Sequence, residues 1–152
     1  SSTCALPISG YQYQKTHPNG EGYTVKAGGG VCVKSGGELT MEGGNIVGCS
    51  AMSGKGGGVY VESKFSMTGG SIIGCAADRG GGVYMSDDDA VFNMSGSAAI
   101  RYCKAASKDS SYASGGGVYA LGAFTMSGNA AICDCECITD SWRWTPPTAL
   151  IM

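Results

Sequence analysis

This chain is short of charge: Asp, Glu, Lys and Arg together make 14% of its 152 residues, and the formal net charge is −2. Electrostatic binding to nucleic acid or to an anionic membrane surface needs a basic excess, so neither partner is expected. Histidine occurs once, at His17, and proline four times. No apolar run approaches the ~20 residues of a spanning helix, so direct membrane insertion is not expected. Asn-Gly, the strongest signal for a two-residue hairpin, occurs only at Asn19-Gly20. An antiparallel sandwich of many hairpins would carry more such turns.

Glycine, with 27 residues, is abundant, and hydrophobic residues make 43% of the chain. The glycines are clustered and do not recur every third residue, which excludes collagen. The apolar residues recur at fixed places, which excludes disorder. Eight cysteines are many for a cytosolic protein and suit an exported one. The chain opens Ser1-Ser2-Thr3-Cys4, with neither an initiating Met nor a leader pattern, and is expected to be a piece of something longer.

The glycine clusters mark a repeat. Gly-Gly-Gly-Val-x occurs four times, at Gly28 to Cys32, Gly56 to Tyr60, Gly80 to Tyr84 and Gly115 to Tyr119. An apolar-x-Met triplet follows each copy: Leu39-Thr40-Met41, Phe65-Ser66-Met67, Phe92-Asn93-Met94 and Phe124-Thr125-Met126. Ile-x-x-Cys then follows, ending at Cys49, Cys75, Cys103 and Cys135. Each segment is too short for a helix and alternates with period two, so each reads as a strand with one face in a core. Val31, Val59, Val83 and Val118 are expected to point inward, with Val33, Val61, Met85 and Ala120 beside them. Cys32, Tyr60, Tyr84 and Tyr119 are then expected outside.

Three short strands cannot bury their apolar faces alone, but coiling the chain and stacking each turn on the last does so. The expected fold is therefore all-β: a right-handed parallel β-helix, or solenoid, of about four coils with three short strands each. The handedness follows from the rule for parallel crossovers. From Leu39 to Phe65, Phe92 and Phe124 the steps are 26, 27 and 32 residues, so extra residues are placed at corners, chiefly Ser86 to Asp89 and Lys104 to Ser114. Residues 28–137 are read as the repeats and 1–27 as an irregular coil or cap. Residues 138–152, with Trp142, Trp144 and Pro146-Pro147, are read as a cap or an assembly tail, the latter implying end-to-end self-association into an oligomer or filament.

The GGGVY, F-x-M-S/T-G and I-x-x-C elements over residues 28 to 135 resemble the β-helix repeats of large bacterial surface proteins, including adhesin-like wall proteins and autotransporter passenger regions. The Gly-Gly-apolar element is similar to that of the chlamydial polymorphic membrane proteins. Where that family has Phe-x-x-Asn, this chain has Phe65-Ser66-Met67-Thr68 and Phe124-Thr125-Met126-Ser127. The resemblance implies a secreted or cell-surface, non-catalytic scaffold, often adhesive, whose partner is a host or matrix protein or a glycan. In such repeats the Cys position is often Asn, stacked as an internal amide ladder.

The structural cysteine column, Cys49, Cys75, Cys103 and Cys135, admits two readings: buried apolar thiols, or disulfides between neighbouring coils. Cys133, Cys135 and Cys137 would share one side of an extended chain, but no His lies near and no paired CxxC is present, so no metal is assigned. Asp87-Asp88-Asp89 is either a calcium-binding loop or, more commonly for such runs, a solvated turn. None of the Gly-Gly-Gly segments leads into Gly-Lys-Ser/Thr, so no nucleotide or other cofactor is expected. Tyr60, Tyr84 and Tyr119 are candidate binding residues if they form an exposed strip; otherwise a loop such as Lys104 to Ser114 covers them.

No catalytic residues are assigned. The alternative function is a carbohydrate-active β-helix enzyme or a carbohydrate-binding module. Glycoside hydrolysis needs two carboxylates at a defined separation, and Glu38, Glu42, Glu62 and Asp78 are scattered over different parts of the repeats. Ice binding through the outward column Thr40, Ser66, Asn93 and Thr125 is a third, weaker reading, because that column is one residue wide and mixed.

Overall fold

The computed structural model describes residues 3–4, 11–16, 22–107 and 113–139. They are all-β, with no helix. The chain winds into a β-solenoid of four stacked coils, and the coils pair through four parallel sheets that run the length of the stack.

The first sheet, the valine sheet, holds Val31–Val33, Val59–Val61, Val83–Met85 and Val118–Tyr119. The phenylalanine sheet holds Glu38–Met41, Lys64–Met67, Val91–Met94 and Ala123–Met126. The isoleucine sheet holds Asn45–Val47, Ser71–Ile73, Ala99–Arg101 and Ala131–Cys133. To these three expected strands each coil adds a fourth, in a lateral sheet that follows the Cys: Ser50–Lys55, Ala76–Arg79, Lys104–Ser107 and Glu136–Thr139. No apolar alternation marked these strands. The one shared trait is a small second residue, since Ala51, Ala77, Ala105 and Cys137 fall in one register column.

The Val, Leu/Phe, Met and Ile columns are in register, but the expectation that Ala120 points inward beside Met85 is corrected: the last valine-sheet strand ends at Tyr119, and Ala120 is exposed. Val59 pairs with Val31 and Val83, and Val83 with Val118. Phe65 lies between Leu39 and Phe92, and Phe92 next to Phe124. Met41, Met67, Met94 and Met126 form one file, and Ile46, Ile72, Ile100 and Ile132 another. Phe65, Met67, Ile72, Val83, Phe92, Met94 and Ile100 are fully buried in one continuous core. The Phe rings stack at 4.6 and 5.1 Å between centroids, a geometry worth about 0.5–1.5 kcal/mol per pair beyond area burial. Thr40, Ser66, Asn93 and Thr125 alternate outward as expected, and the Thr125 hydroxyl donates to Asn93 Oδ1.

Gly-Gly-Gly recurs because each glycine meets a different restriction, seen clearly in the third copy. Gly80 has φ +62°, a left-handed conformation that a side chain resists. A Cβ on Gly81 would lie 2.4 Å from both the Gly116 and Lys104 carbonyl oxygens. The lateral strand of the next coil therefore packs directly against this backbone. A Cβ on Gly82 would lie 2.5 Å from the Gly117 carbonyl oxygen and 2.8 Å from Ile100 Cγ2, which places it on the core face.

The corner before each Cys is also left-handed. Gly48, Gly74, Tyr102 and Asp134 have φ 64°, 62°, 55° and 55° in the four coils. At the start of the stack, Thr3–Cys4 adds to the isoleucine sheet alongside Asn45 and Ile46. Gly22–Ala27 joins the lateral sheet and pairs antiparallel with Tyr11–Thr16. At the far end Thr139 pairs with Ser107. The rest of the expected cap or tail, residues 140–152 with both tryptophans, lies outside the described residues.

Replacing Phe92, which is stacked on both faces, with Ala is expected to cost about 3–5 kcal/mol, as for other fully buried aromatics; chemical denaturation measures this. Gly82→Ala should also destabilise strongly, because its new methyl meets backbone. Gly43→Ala, whose methyl would meet nothing within 4 Å, should change stability by less than ~0.5 kcal/mol. Equal effects at the two glycines would contradict the close-approach account.

Candidate functional site

The two candidate sites were the tyrosine column and the cysteine column. The tyrosines are in register, with Tyr60 beside Cys32 and Tyr84, and Tyr84 beside Tyr119. Their rings stack at 5.6 and 4.9 Å, nearly parallel. They are not an exposed strip. Tyr60 is 6% exposed and Tyr84 3%, and only Tyr119, in the last coil, is half-buried.

The cause is the first glycine of each motif. Its left-handed φ turns the lateral strand sharply into the valine sheet, so the two sheets meet in a concave corner. A Cβ on Gly80 would sit 2.7 Å from Tyr84 Cβ, and one on Gly115 2.8 Å from Tyr119 Cβ. The tyrosines fill this corner with Ala27 and Cys32, forming a second apolar cluster outside the main core. Lys55 reaches over the corner, its Nζ 5.0 Å from the Tyr84 ring centroid, a cation–π contact. Of the loop thought able to cover the strip, residues 108–112 lie outside the described residues; Ser114 bridges to Arg79 beside the corner. The exposed strip is thus corrected to a buried aromatic seam whose last member, Tyr119, is half-exposed.

The cysteine column faces the main core. Cys49, Cys75 and Cys103 are buried and Cys135 is half-buried. All four are free thiols, as are Cys32, Cys133 and Cys137. Each column thiol donates to the carbonyl two residues earlier: Cys75 Sγ to Ile73 O at 3.5 Å, Cys103 Sγ to Arg101 O at 3.4 Å, Cys135 Sγ to Cys133 O at 3.4 Å. Cys75, Cys103 and Cys135 also approach the Ile carbonyl of the coil before, as Cys103 Sγ does Ile72 O at 3.7 Å. The third glycine of each motif backs the sulfur; a Cβ on Gly117 would stand 3.3 Å from Cys135 Sγ. Buried thiols, rather than disulfides, are what the column contains.

Neighbouring sulfurs also interact. Hydrogen bonding with Cys135 and Cys75, together with burial, holds Cys103 far above the ordinary thiol range. Interaction with the Cys103 thiol lowers Cys135, at the end of the file, to about 7. Burial pushes Cys32, Cys133 and Cys137 up.

The expectation that Cys133, Cys135 and Cys137 share one side is corrected. Asp134 at φ 55° breaks the alternation, so Cys133 ends an isoleucine-sheet strand, Cys135 turns into the core, and Cys137 sits exposed in the lateral sheet. Glycine at the equivalent corners, Gly48 and Gly74, was the signal in the sequence. Among the described residues no group of three or more His, Cys, Asp or Glu converges to hold a metal ion. Asp87, Asp88 and Asp89 are exposed in a turn closed by the Asp89 amide donating to Asp87 Oδ1 at 3.1 Å.

The carboxylates considered for catalysis lie on different elements. Glu38 lies on the phenylalanine sheet and Glu42 at the corner after it. Glu62 accepts from Lys34 Nζ and from the Ser35 amide, each at 3.0 Å. Asp78 lies on the lateral sheet and accepts from the Ser107 hydroxyl at 3.4 Å. With this geometry established, the fold defines the chain as a β-solenoid repeat protein. No family model matches it, and no curated protein or solved structure matches it.

In the native state Cys49, Cys75 and Cys103 are expected to resist alkylation until denaturant is added. Cys135 should be the fastest to react near neutral pH. Alkylation needs the thiolate, and a lowered pKa puts the half-ionised point near pH 7 rather than 9. The Cys135 rate should therefore rise through pH 7, while Cys32, Cys133 and Cys137 gain rate only at more alkaline pH. Peptide-resolved iodoacetamide labelling against pH measures this, and a Cys135 midpoint near 9 would refute it.

Proposed function

We propose that this chain is a non-catalytic scaffold segment of a secreted or cell-surface, adhesin-like β-helix protein. One observation carries the reading: the inward columns repeat closely, while two outward columns do not repeat at all. Inside, Val, Phe, Met, Ile and Cys stand on their own kind. Outside, one column reads Glu38, Lys64, Val91, Ala123, and another Val47, Ile73, Arg101, Cys133. Side chains that determine the fold are held constant, and side chains that meet the surroundings vary freely. A stacked solenoid of this kind offers a long lateral surface for binding, with a host or matrix protein or a glycan as its partner.

The alternative is a carbohydrate-active enzyme or a carbohydrate-binding module. The separated carboxylates weigh against hydrolysis, because a retaining or inverting pair needs a fixed spacing. The burial of Tyr60 and Tyr84 weighs against sugar stacking along the tyrosine column.

The test is to present the chain on immobilised matrix proteins and a glycan array, and in parallel to incubate it with soluble polysaccharides. Saturable binding to at least one surface without release of reducing ends is expected. Release of reducing ends that Glu62→Gln or Asp78→Asn abolishes would establish the enzyme reading instead. Absence of binding to every surface would count against an adhesive role.

A further inference from the structure

Among the described residues, large apolar side chains are exposed in two places. Leu121 and Met126 belong to the last coil, which has one neighbouring coil. Val47, 36% exposed, and Tyr102, 61% exposed, do not share that cause. Val47 projects from the outer face of the isoleucine sheet in the first coil. Tyr102 stands at the corner that ends the third strand of the same sheet.

Tyr102 is costly where it stands. The corner before each Cys is left-handed, with φ 55° at Tyr102. Two coils fill it with Gly48 and Gly74, and the last with Asp134, a residue type that tolerates this region. A bulky side chain is a true outlier there. Nothing in the described fold offsets the strain. A Cβ on Gly48 or Gly74 would meet nothing within 4 Å, so this corner opens to solvent. The Tyr102 side chain makes no hydrogen bond or ring contact among the described residues. Backbone strain of this kind concentrates at positions that hold a ligand.

The neighbours of Tyr102 set the chemistry of that ligand. Arg101 precedes it and is exposed. Arg101 pairs with Ile73, and Ile73 with Val47, so apolar and cationic side chains form one outward file. At about 4.8 Å per layer, the file from Val47 to Arg101 is ~10 Å long. Among the described residues Arg101 forms no ion pair, and a guanidinium is best matched by a carboxylate. Tyr and Arg are the residue types enriched as energetic anchors of protein interfaces. Val47 and Ile73 add apolar area and offer a sugar no hydrogen bond, which favours a protein over a glycan.

We propose that Val47, Ile73, Arg101 and Tyr102 form a docking ridge for an extended segment of a partner protein that carries an acidic and an apolar side chain, with Tyr102 as the anchor. The inference rests on the adhesive reading above and narrows it to a protein partner at one place on the lateral surface. The partner's carboxylate pairs with Arg101, and its apolar side chain lies over Ile73 and Val47. Three residues of extended chain span ~10 Å, the length of the file.

The probe is a random-peptide library displayed on phage and selected on the immobilised full chain. Recovered peptides should carry Asp or Glu within about four residues of a large apolar side chain. Titration of the synthetic peptides then compares variants. Tyr102→Gly should weaken binding by ~30-fold or more, the size of an interface hot spot. Arg101→Gln should weaken it by about 10-fold and reduce its sensitivity to salt. Lys64→Ala, on the phenylalanine sheet, should leave it unchanged. Tyr102→Gly should also raise the melting temperature, because glycine relieves the left-handed φ. Loss of binding in a more stable protein cannot come from misfolding. Peptides that bind the Tyr102→Gly chain as tightly as the native one would overturn the proposal. So would failure to enrich any peptide, a lowered melting temperature, or a glycan that takes the place of the peptides on the ridge. A matrix protein that binds native and Tyr102→Gly chains equally would overturn the ridge and leave the adhesive reading standing. Peptides lost with Tyr102→Gly, while no matrix protein binds, would support the ridge and count against the adhesive reading.

Discussion

Everything in this molecule depends on in-register stacking of parallel strands. One layer of a sheet is about 4.8 Å thick, and a side chain pointing into the core has that height in which to fit. Neighbouring coils must therefore bring matching shapes to matching places. Phe stacks on Phe, Met on Met and Ile on Ile, and unlike apolar pairs are few, Leu39 beside Phe65 and Val61 beside Met85, because a gross mismatch of size would leave a void or a clash. Close packing makes either one costly. The constraint acts on the inward face alone, so outward positions such as Glu38, Lys64, Val91 and Ala123 follow no pattern.

The same constraint explains how the glycines and cysteines share the work. Where the lateral strand returns toward the valine sheet, two backbones nearly touch, and a Cβ has no room. Where the third glycine faces the core, the space left for a partner is the size of a thiol. Glycine and cysteine are thus two halves of one packing decision: Gly82 faces Ile100 and Cys103, and Gly117 faces Ile132 and Cys135. The first glycine has a different part. By reversing the chain, it creates the corner that takes in the tyrosines and gives the solenoid a second apolar seam.

The ends of the stack differ from its middle for an equally simple reason. An inner coil has its core covered from both sides, whereas among the described residues the last coil has one neighbour. Met67 and Met94 are buried, but Met126, in the last coil, is 42% exposed, and Leu121 is 46% exposed. Cys135 and Tyr119 belong to the same gradient. Their partial exposure follows from their place in the stack and not from any property of residue type. Chemistry that is silent in the interior can reach solvent there.

The sequence by itself determined the solenoid, its four coils and the register of the Val, Leu/Phe, Met and Ile columns, because like residues in fixed order have one economical arrangement in space. It also placed Thr40, Ser66, Asn93 and Thr125 on the outside, since alternation along a strand depends on the backbone alone. Three things were decided only in three dimensions. The lateral strands, such as Ala76–Arg79, carry no apolar period of their own and form because the coils on either side bring them together. Tyr60 and Tyr84 alternate outward from their strands yet end up buried, because strand alternation says nothing of what the next corner folds against. Cys133, Cys135 and Cys137 separate because Asp134 takes a left-handed φ, a conformation that the two glycine corners hinted at and that the closure of the coil imposed.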